Sequence, residues 1–267
     1  MYKTALFYFS ATGNSLYTAK EISKGWTDVE LISIPDALHS GCLAFDEYDV
    51  VGIVTPLYFM GLPPIVKTFL SQITLRNVKY CFSIITRAFS RGYAFHQINR
   101  LLNQKGLELN YAQYLNYPDN YIRWAEAADE KKQHKQFKES EQKLLGYKKQ
   151  VEEQIKNYKK EGFILKAGSS VVYHIWKSRL RYSGSHFKVS QVCNNCGICE
   201  KACPTQNISI INKVPHWHTH CVDCMGCIQH CPKKAIYFNK RTEKRRRYRN
   251  PHISLHELLH NRTKEEQ

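Results

Sequence analysis

Between residues 193 and 231 the chain repeats itself at an offset of 28: CNNCGICEKACP from 193 and CVDCMGCIQHCP from 221. Both halves read C-x2-C-x2-C-x3-C-P, and each is followed by a short run of strand formers, NISI and AIYF. Eight of the ten cysteines lie in this stretch, with Cys42 and Cys81 alone outside it as expected packing thiols. Thiols gathered this closely are metal ligands rather than a disulfide framework, and ligand thiolates need a reducing compartment, so the expected location is the cytoplasm. Four-cysteine zinc sites use two C-x2-C pairs at a distance and have no use for the third cysteine or for the Cys-Pro.

The repeat resembles the bacterial-type dicluster ferredoxins, whose spacing it carries twice. That resemblance implies two [4Fe–4S] clusters. It assigns Cys193, Cys196, Cys199 and Cys231 to one cube and Cys221, Cys224, Cys227 and Cys203 to the other. Gly197 and Gly226 are expected to let the backbone approach the sulfides closely.

The first third reads differently. KTALFYF (3–9), VELISI (29–34), YDVVGIVTP (48–56), KYCFSIIT (79–86) and LELNYAQYL (107–115) are apolar, β-branched or aromatic runs bounded by turn residues. Helix patterns at 14–25, 63–73 and 92–104 alternate with them, which predicts a parallel sheet with helices on both faces. Between the first strand and the first helix lies FSATGNS (9–15). A helix N-terminus after a strand favours an anion, and Ser10, Thr12, Asn14 and Ser15 add side-chain donors while Gly13 permits the turn. Neither G-x4-G-K-[ST] nor G-x-G-x-x-G occurs, so a triphosphate loop and a dinucleotide fingerprint are not expected.

That loop is similar in type, spacing and position to the phosphate loop of flavodoxins. The resemblance implies FMN, with Ser10, Thr12, Gly13, Asn14 and Ser15 at its phosphate. It also implies flavin-ring contacts from Pro56, Tyr58 and Phe59 after the third strand, and from Thr86, Arg87, Phe89 and Gly92 after the fourth. Arg87 or Arg91 beside a flavin would favour its reduction by placing positive charge where negative charge develops. The implied fold is an α/β, flavodoxin-like, doubly wound five-stranded parallel sheet of order 2-1-3-4-5, with a long C-terminal helix and a small α+β dicluster ferredoxin domain behind it. Taken together the chain resembles a family of anaerobe proteins that fuse the two.

Four segments are expected: 1–161 as the FMN domain with its long helix, 162–187 as a linker or docking segment, 188–239 as the ferredoxin domain and 240–267 as a basic tail. The long helix, over 122–161, is marked by Phe137, Leu144, Val151 and Tyr158 seven apart, a stripe that would serve either one amphipathic helix in solvent or a coiled-coil seam. No run approaches the ~20 apolar residues of a spanning helix. Net charge is +16, yet residues 1–120 carry ten Lys or Arg against nine Asp or Glu, so the excess lies in the C-terminal half. RTEKRRRYR (241–249) reads as a solvated tail or as a docking site for an acidic redox partner, with nucleic acid third. The basic, apolar stretch 163–187 packs between domains or lies on a membrane surface. HWHTHC (216–221) and the spacing of His252, His256 and His260 read as polar faces rather than metal sites. The expected function is electron transfer between flavin and clusters, with redox proteins as partners. A reductase passing electrons from the clusters through FMN to a small molecule or quinone is the alternative.

Overall fold

The computed structural model of the protein describes residues 2–259. Its chain divides into two compact units. The first holds everything up to Ser10, Asn14–Tyr117 and Lys131–Trp176; the second holds Ala11–Gly13, Pro118–Glu130 and the chain from Lys177 onward. The dividing points therefore fall inside the expected segments 1–161 and 162–187.

The first unit is built on five parallel strands: β1 (Thr4–Tyr8), β2 (Val29–Ser33), β3 (Val50–Pro56), β4 (Tyr80–Arg87) and β5 (Tyr111–Asn116), in the order β2-β1-β3-β4-β5. The three inner strands are buried almost throughout, as continuous apolar runs in a two-sided parallel sheet must be. At the edges β2 is half-buried with Glu30 exposed, and β5 mixes buried and half-buried positions. Gly52 lets the sheet close around large neighbours, since a Cβ there would stand 2.3 Å from Leu6 Cδ1 and 2.4 Å from Phe82 Cζ. The order reverses between β1 and β3, which is where open α/β sheets leave a crevice at the carboxyl ends of their strands.

Helices α1 (Asn14–Ser23), α3 (Pro64–Gln72) and α4 (Ala94–Asn103) fall where the sequence places them. A further helix, α2 (Ile34–Ser40), was not expected; Pro35 opens it and Gly41, at φ +69°, closes it. The long helix is α5 (Glu130–Glu152), shorter than the span 122–161. It does not project into solvent. Phe137, Leu144 and Val151 are buried against the unit, Tyr17 Oη donates to Glu141 at 2.6 Å, Trp26 Nε1 donates to Glu152 at 2.8 Å, and Ser140 Oγ donates to Asn116 O. After it the backbone turns at Gln154 (φ +51°) and runs back beside β5, where Asn157 and Tyr158 donate to Asn110 O. α6 (Phe163–Arg179) then buries Ser169, Tyr173 and Trp176.

The second unit repeats its backbone as well as its cysteines. Residues with positive φ recur at the offset of 28: Asn195 and Asp223, Gly197 and Met225, Gln206 and Lys234. Each cysteine loop leads into a short helix, α7 (Ile198–Lys201) and α8 (Gly226–His230). The runs after them pair as β7 (Ile208–Ile211) with β8 (Val214–Trp217), and β6 (Lys188–Val189) with β9 (Ile236–Tyr237), both antiparallel. A core of Ile122, Phe187, Ile208, Met225, Ile228, Ile236 and Phe238 fills the space between. The tail expected from 240 is part of this unit up to the last described residues: α9 (Lys240–Lys244) is opened by an Asn239–Thr242 capping box, and Tyr248, Asn250 and Ile253 are buried. α10 (Leu255–Leu259) carries His256, while His260 lies outside the described residues. Among the described residues no helix is long and apolar enough to cross a membrane.

Candidate functional site

At the carboxyl ends of the inner strands, β1 stops at Tyr8 but its pairing runs on, with Phe9 N–H donating to Val54 O. The same edge is extended by Leu57 N–H to Thr86 O and Tyr117 N–H to Arg87 O. This rigid rim holds the loops named from sequence. α1 begins at Asn14, so its first N–H groups have no acceptor within the helix. Ser15 is buried there and its hydroxyl shares a hydrogen bond of 2.8 Å with that of Thr86, tying the loop after β1 to the end of β4.

Ala11–Gly13 pack with the second unit and are held tightly within it. Asn120 Nδ2 donates to Thr12 Oγ1 at 2.6 Å, Asn250 N–H donates to Thr12 O at 2.8 Å, and His230 Nε2 shares a 2.7 Å hydrogen bond with Ala11 O. Gly13 sits at φ +102°, and a Cβ on it would lie 2.7 Å from Asn250 Cβ. Glycine is required there on both counts.

The loop after β3 is a two-residue turn. Tyr58 and Gly61 exchange backbone hydrogen bonds of 2.9 and 2.8 Å around Phe59 (φ +45°) and Met60 (φ +69°), a conformation that non-glycine residues enter at a cost. Met60 O accepts from Tyr93 N–H at 2.9 Å, and Gly92 lies so close that a Cβ on it would meet Met60 O at 2.0 Å. Thus the loops after β3 and β4 are brought together, with Tyr58, Phe59 and Gly92 in one cluster. Sequence reasoning missed its other half. α6 lays Trp176 on Phe59, ring centroids 4.7 Å apart and nearly parallel, and Tyr173 Oη donates to Leu62 O at 2.8 Å while its ring fills the space a side chain at Gly61 would need. The stretch 163–187, expected as a connector, is therefore a wall of this cluster up to Trp176. Pro56 pairs in register with Thr86 at the rim. Two candidates stand apart. Phe89 is 80 % exposed. Arg87 is turned onto its own unit: Nε donates to Asn116 Oδ1, Nη1 to Ser90 O, and the guanidinium stacks on Tyr114 at 4.2 Å. Burial lowers its basicity.

In the second unit the cysteines sort into two groups that cross between the repeats. Cys193, Cys196, Cys199 and Cys231 line one cavity, with Ile198, Ile210 and Ile236 as its apolar wall. Burial raises the Cys199 thiol to about 12, and the cysteines acting on it are Cys231 and Cys196. Burial likewise raises Cys227, on which Cys224, Cys221 and Cys203 act, and raises Cys221 to about 12, with Cys203 again a neighbour. Each fourth sulfur is aimed by a matching N–H: Asn207 donates to Cys203 Sγ and Ala235 to Cys231 Sγ, both at 3.2 Å. Asp223 N–H donates to Cys221 Sγ at 3.4 Å. The tight-turn residue of the second loop is Met225, not Gly226, whose added Cβ would meet only ordinary contacts of 3.4 Å or more. A cube with its own iron and sulfide takes four thiolates at such a wall, and metal displaces the protons that burial otherwise holds on the sulfurs. Among the described residues, no three His, Cys, Asp or Glu side chains close on a single-ion site. His218 is engaged instead with Ser209 Oγ at 2.8 Å.

The basic run 241–249 is not a solvated tail. Arg245 Nη1 donates to Ile122 O and Arg123 O at 2.6 and 2.9 Å, and Arg246 to Glu126 and to Ala127 O. Arg247 donates to Thr242 O and Ile236 O. Guanidinium forks satisfy the carbonyls of an irregular segment, Pro118–Glu130, that has no strand or long helix to do so. Of the two lone cysteines, Cys81 is buried with its thiol pushed up to about 12, whereas Cys42 is exposed rather than packed.

A family model described as "Flavodoxin domain" matches residues 5–108, and one described as "4Fe-4S dicluster domain" matches residues 192–236. No curated protein matches the chain. Among solved structures it is similar to a flavoprotein in complex with FMN from Lactobacillus acidophilus (18% identity over 43% of this chain and 93% of that one, TM-score 0.35). It is also similar to the two-electron reduced flavodoxin of Megasphaera elsdenii (18%, 42% and 85%, TM-score 0.33) and to an azoreductase from Bacillus anthracis (11%, 65% and 100%, TM-score 0.34). The strand order seen in the sheet and the two domain matches together make this chain a fusion of a flavodoxin domain and a 4Fe-4S dicluster ferredoxin domain.

Proposed function

We propose that the protein moves electrons between an FMN and two [4Fe–4S] clusters, joining one-electron and two-electron carriers. The crossing of the cysteine groups is the observation that carries this reading: the cavity of the first loop is completed by Cys231 from the second, and Cys203 of the first is a neighbour of Cys221 and Cys227. Two independent metal sites would have no need to exchange ligands. The first cube would be held by Cys193, Cys196, Cys199 and Cys231, and the second by Cys221, Cys224, Cys227 and Cys203.

For FMN, a phosphate monoester fits the α1 N-terminus and the hydroxyls of Ser10, Thr12 and Ser15, which supply N–H and O–H donors without a strong cation. Tyr58, Phe59 and Trp176 supply aromatic faces on a loop already locked by Gly61 and Gly92. Bound there, FMN takes up one or two electrons, whereas each cube passes one at a time. Arg87 has a structural role, holding Ser90 O and Asn116 in place. Redox proteins are the partners this function requires.

The test is anaerobic purification followed by quantitation of iron, sulfide and flavin. About eight iron, about eight sulfide and about one FMN per chain are expected of two cubes and one flavin. Zinc in place of iron, or a chain that neither retains nor binds FMN, would overturn the reading. Partial chemical reduction should then bleach the flavin and raise the reduced-cluster EPR signal within the same molecule.

A further inference from the structure

α6 has two apolar faces and uses one. Ser169, Tyr173 and Trp176 are buried, held by the Tyr173 bond to Leu62 O and the Trp176 stack on Phe59. On the opposite side Ile164 is 87 % exposed, Val171 59 %, Ile175 51 % and Val172 42 %, with Phe163 83 % exposed at the helix start. Ile164, Gly168, Val171 and Ile175 are spaced 4, 3 and 4, so they form one stripe along the helix. Gly168 has open space about it. A contiguous exposed apolar stripe on an anchored helix marks an interaction surface.

The charges around the stripe have one sign. From 159 to 179 the chain carries Lys159, Lys160, Lys166, Lys177 and Arg179 against Glu161 alone, and the next acidic residue is Glu200. Glu161 does not offset them at the surface, because its carboxylate accepts from His96 N–H at 3.2 Å and from Tyr158 Oη at 3.4 Å on its own unit. A second copy of the chain would bring like charge against like, and +16 overall adds to that repulsion.

We propose that the outer face of α6 is a docking surface for an anionic lipid bilayer. Ile164, Val171, Val172 and Ile175 enter the boundary between headgroups and acyl chains, while Arg179, one helical turn beyond Ile175, reaches lipid phosphates with its stem along the edge of the apolar stripe. The helix lies on the surface; it does not cross it. This proposal stands apart from the redox reading and does not depend on it.

The experiment is co-sedimentation of the anaerobically purified, cofactor-loaded protein with vesicles of phosphatidylcholine alone or with added phosphatidylglycerol. Binding is expected to need phosphatidylglycerol, to fall with added salt, and to weaken about fivefold for Arg179→Gln. The double variant Ile164→Glu/Val171→Glu is expected to lose binding while keeping its iron, flavin and thermal midpoint, since both positions are exposed. No binding of the unaltered protein to either vesicle, or equal binding by the double variant, would overturn the proposal. So would a concentration-dependent doubling of mass by light scattering that Ile164→Glu abolishes, which would give the face to a second copy.

Discussion

Arg123 Nη1 stands 2.9 Å from Asp223 Oδ1, and the carboxylate it meets lies between Cys221 and Cys224 with a side chain only 2 % exposed. Asp223 also accepts from Ser183 Oγ and from Tyr121 Oη, both at 2.6 Å, and the Arg123 guanidinium lies 4.1 Å from the Phe238 ring centroid. A buried carboxylate with three donors is fully satisfied, and its burial is tolerable only while they remain. Arg123→Met is therefore expected to destabilise the protein by about 3–5 kcal/mol, and adding Asp223→Asn to recover part of that loss. Anaerobic denaturant unfolding of the three proteins checks it. A neutral cost for Arg123→Met would mean that the pair is screened.

Crossing of the cysteine groups makes a sharp distinction. Cys203→Ala and Cys227→Ala, from different repeats, are expected to damage the same cluster, and Cys231→Ala the other, together with Cys196→Ala. EPR of the reduced variants would show two pairs of matching spectra. Matching of Cys203→Ala with Cys196→Ala would mean that each repeat holds its own cluster.

Met60 occupies the left-handed region at φ +69° without the freedom of glycine. Met60→Gly removes a penalty of about 1–2 kcal/mol and adds an unfolded-state cost of about 0.5–1 kcal/mol, so a net gain of about 0.5–1 kcal/mol is expected. Gly92→Ala, whose Cβ would collide with Met60 O at 2.0 Å, is expected to act in the opposite direction and to weaken FMN retention. Thermal melts and flavin fluorescence on dilution read both effects.

His96 is half-buried, and burial, then Lys166, Arg100 and Lys160, hold its ring below the usual 6.5. The folded chain therefore prefers the neutral ring. That contribution is complete above 6.5 and is lost as pH falls through the lower folded value. Glu161 beside it has its carboxyl raised by burial, so its contribution is present below the usual carboxylate range and lost as pH rises through the raised value. His96→Gln is expected to flatten the decline in denaturation midpoint between about pH 7 and about pH 5. An unchanged decline would assign it to other groups.

The second unit cannot be cut out as a simple C-terminal domain. Ile122 belongs to its core, and Arg123 and the carbonyls that Arg245 binds lie in the same distant segment. A fragment beginning at residue 177 is expected to bind iron less stably than the whole chain, and Arg245→Ala to mimic this in part. Iron retention during gel filtration would measure it; equal retention by the fragment would make the segment dispensable.

What could be read ahead of the structure follows from physical range. Strand and helix positions depend on local apolar periodicity, and β1 through β5 lie where VVGIVTP-like runs place them. The cysteine spacing is equally local, since three ligands in seven residues demand one loop. Segment 122–129 falls inside the span read as one long helix, yet its Ile122, Arg123 and Ala127 carbonyls are taken by Arg245 and Arg246, about 120 residues away. Nothing in RRR distinguishes an arginine that binds carbonyls from one in solvent. Trp176 was legible only as an aromatic in a basic stretch, because its partner Phe59 is distant in sequence. Met225 was hidden for another reason: a residue type that seldom takes positive φ stands where glycine stands in the first repeat.

The exchange of fourth cysteines also bears on how the chain matures. On a ribosome, Cys193, Cys196 and Cys199 emerge early and wait as three thiols without their fourth. The second group is complete only at Cys227, and the first only at Cys231, four residues later. With the ligand sets proposed above, neither repeat would acquire a finished metal centre while the other is still being made. Both centres would become possible almost at the same moment, and a nascent chain stalled before Cys227 would hold no complete site to load.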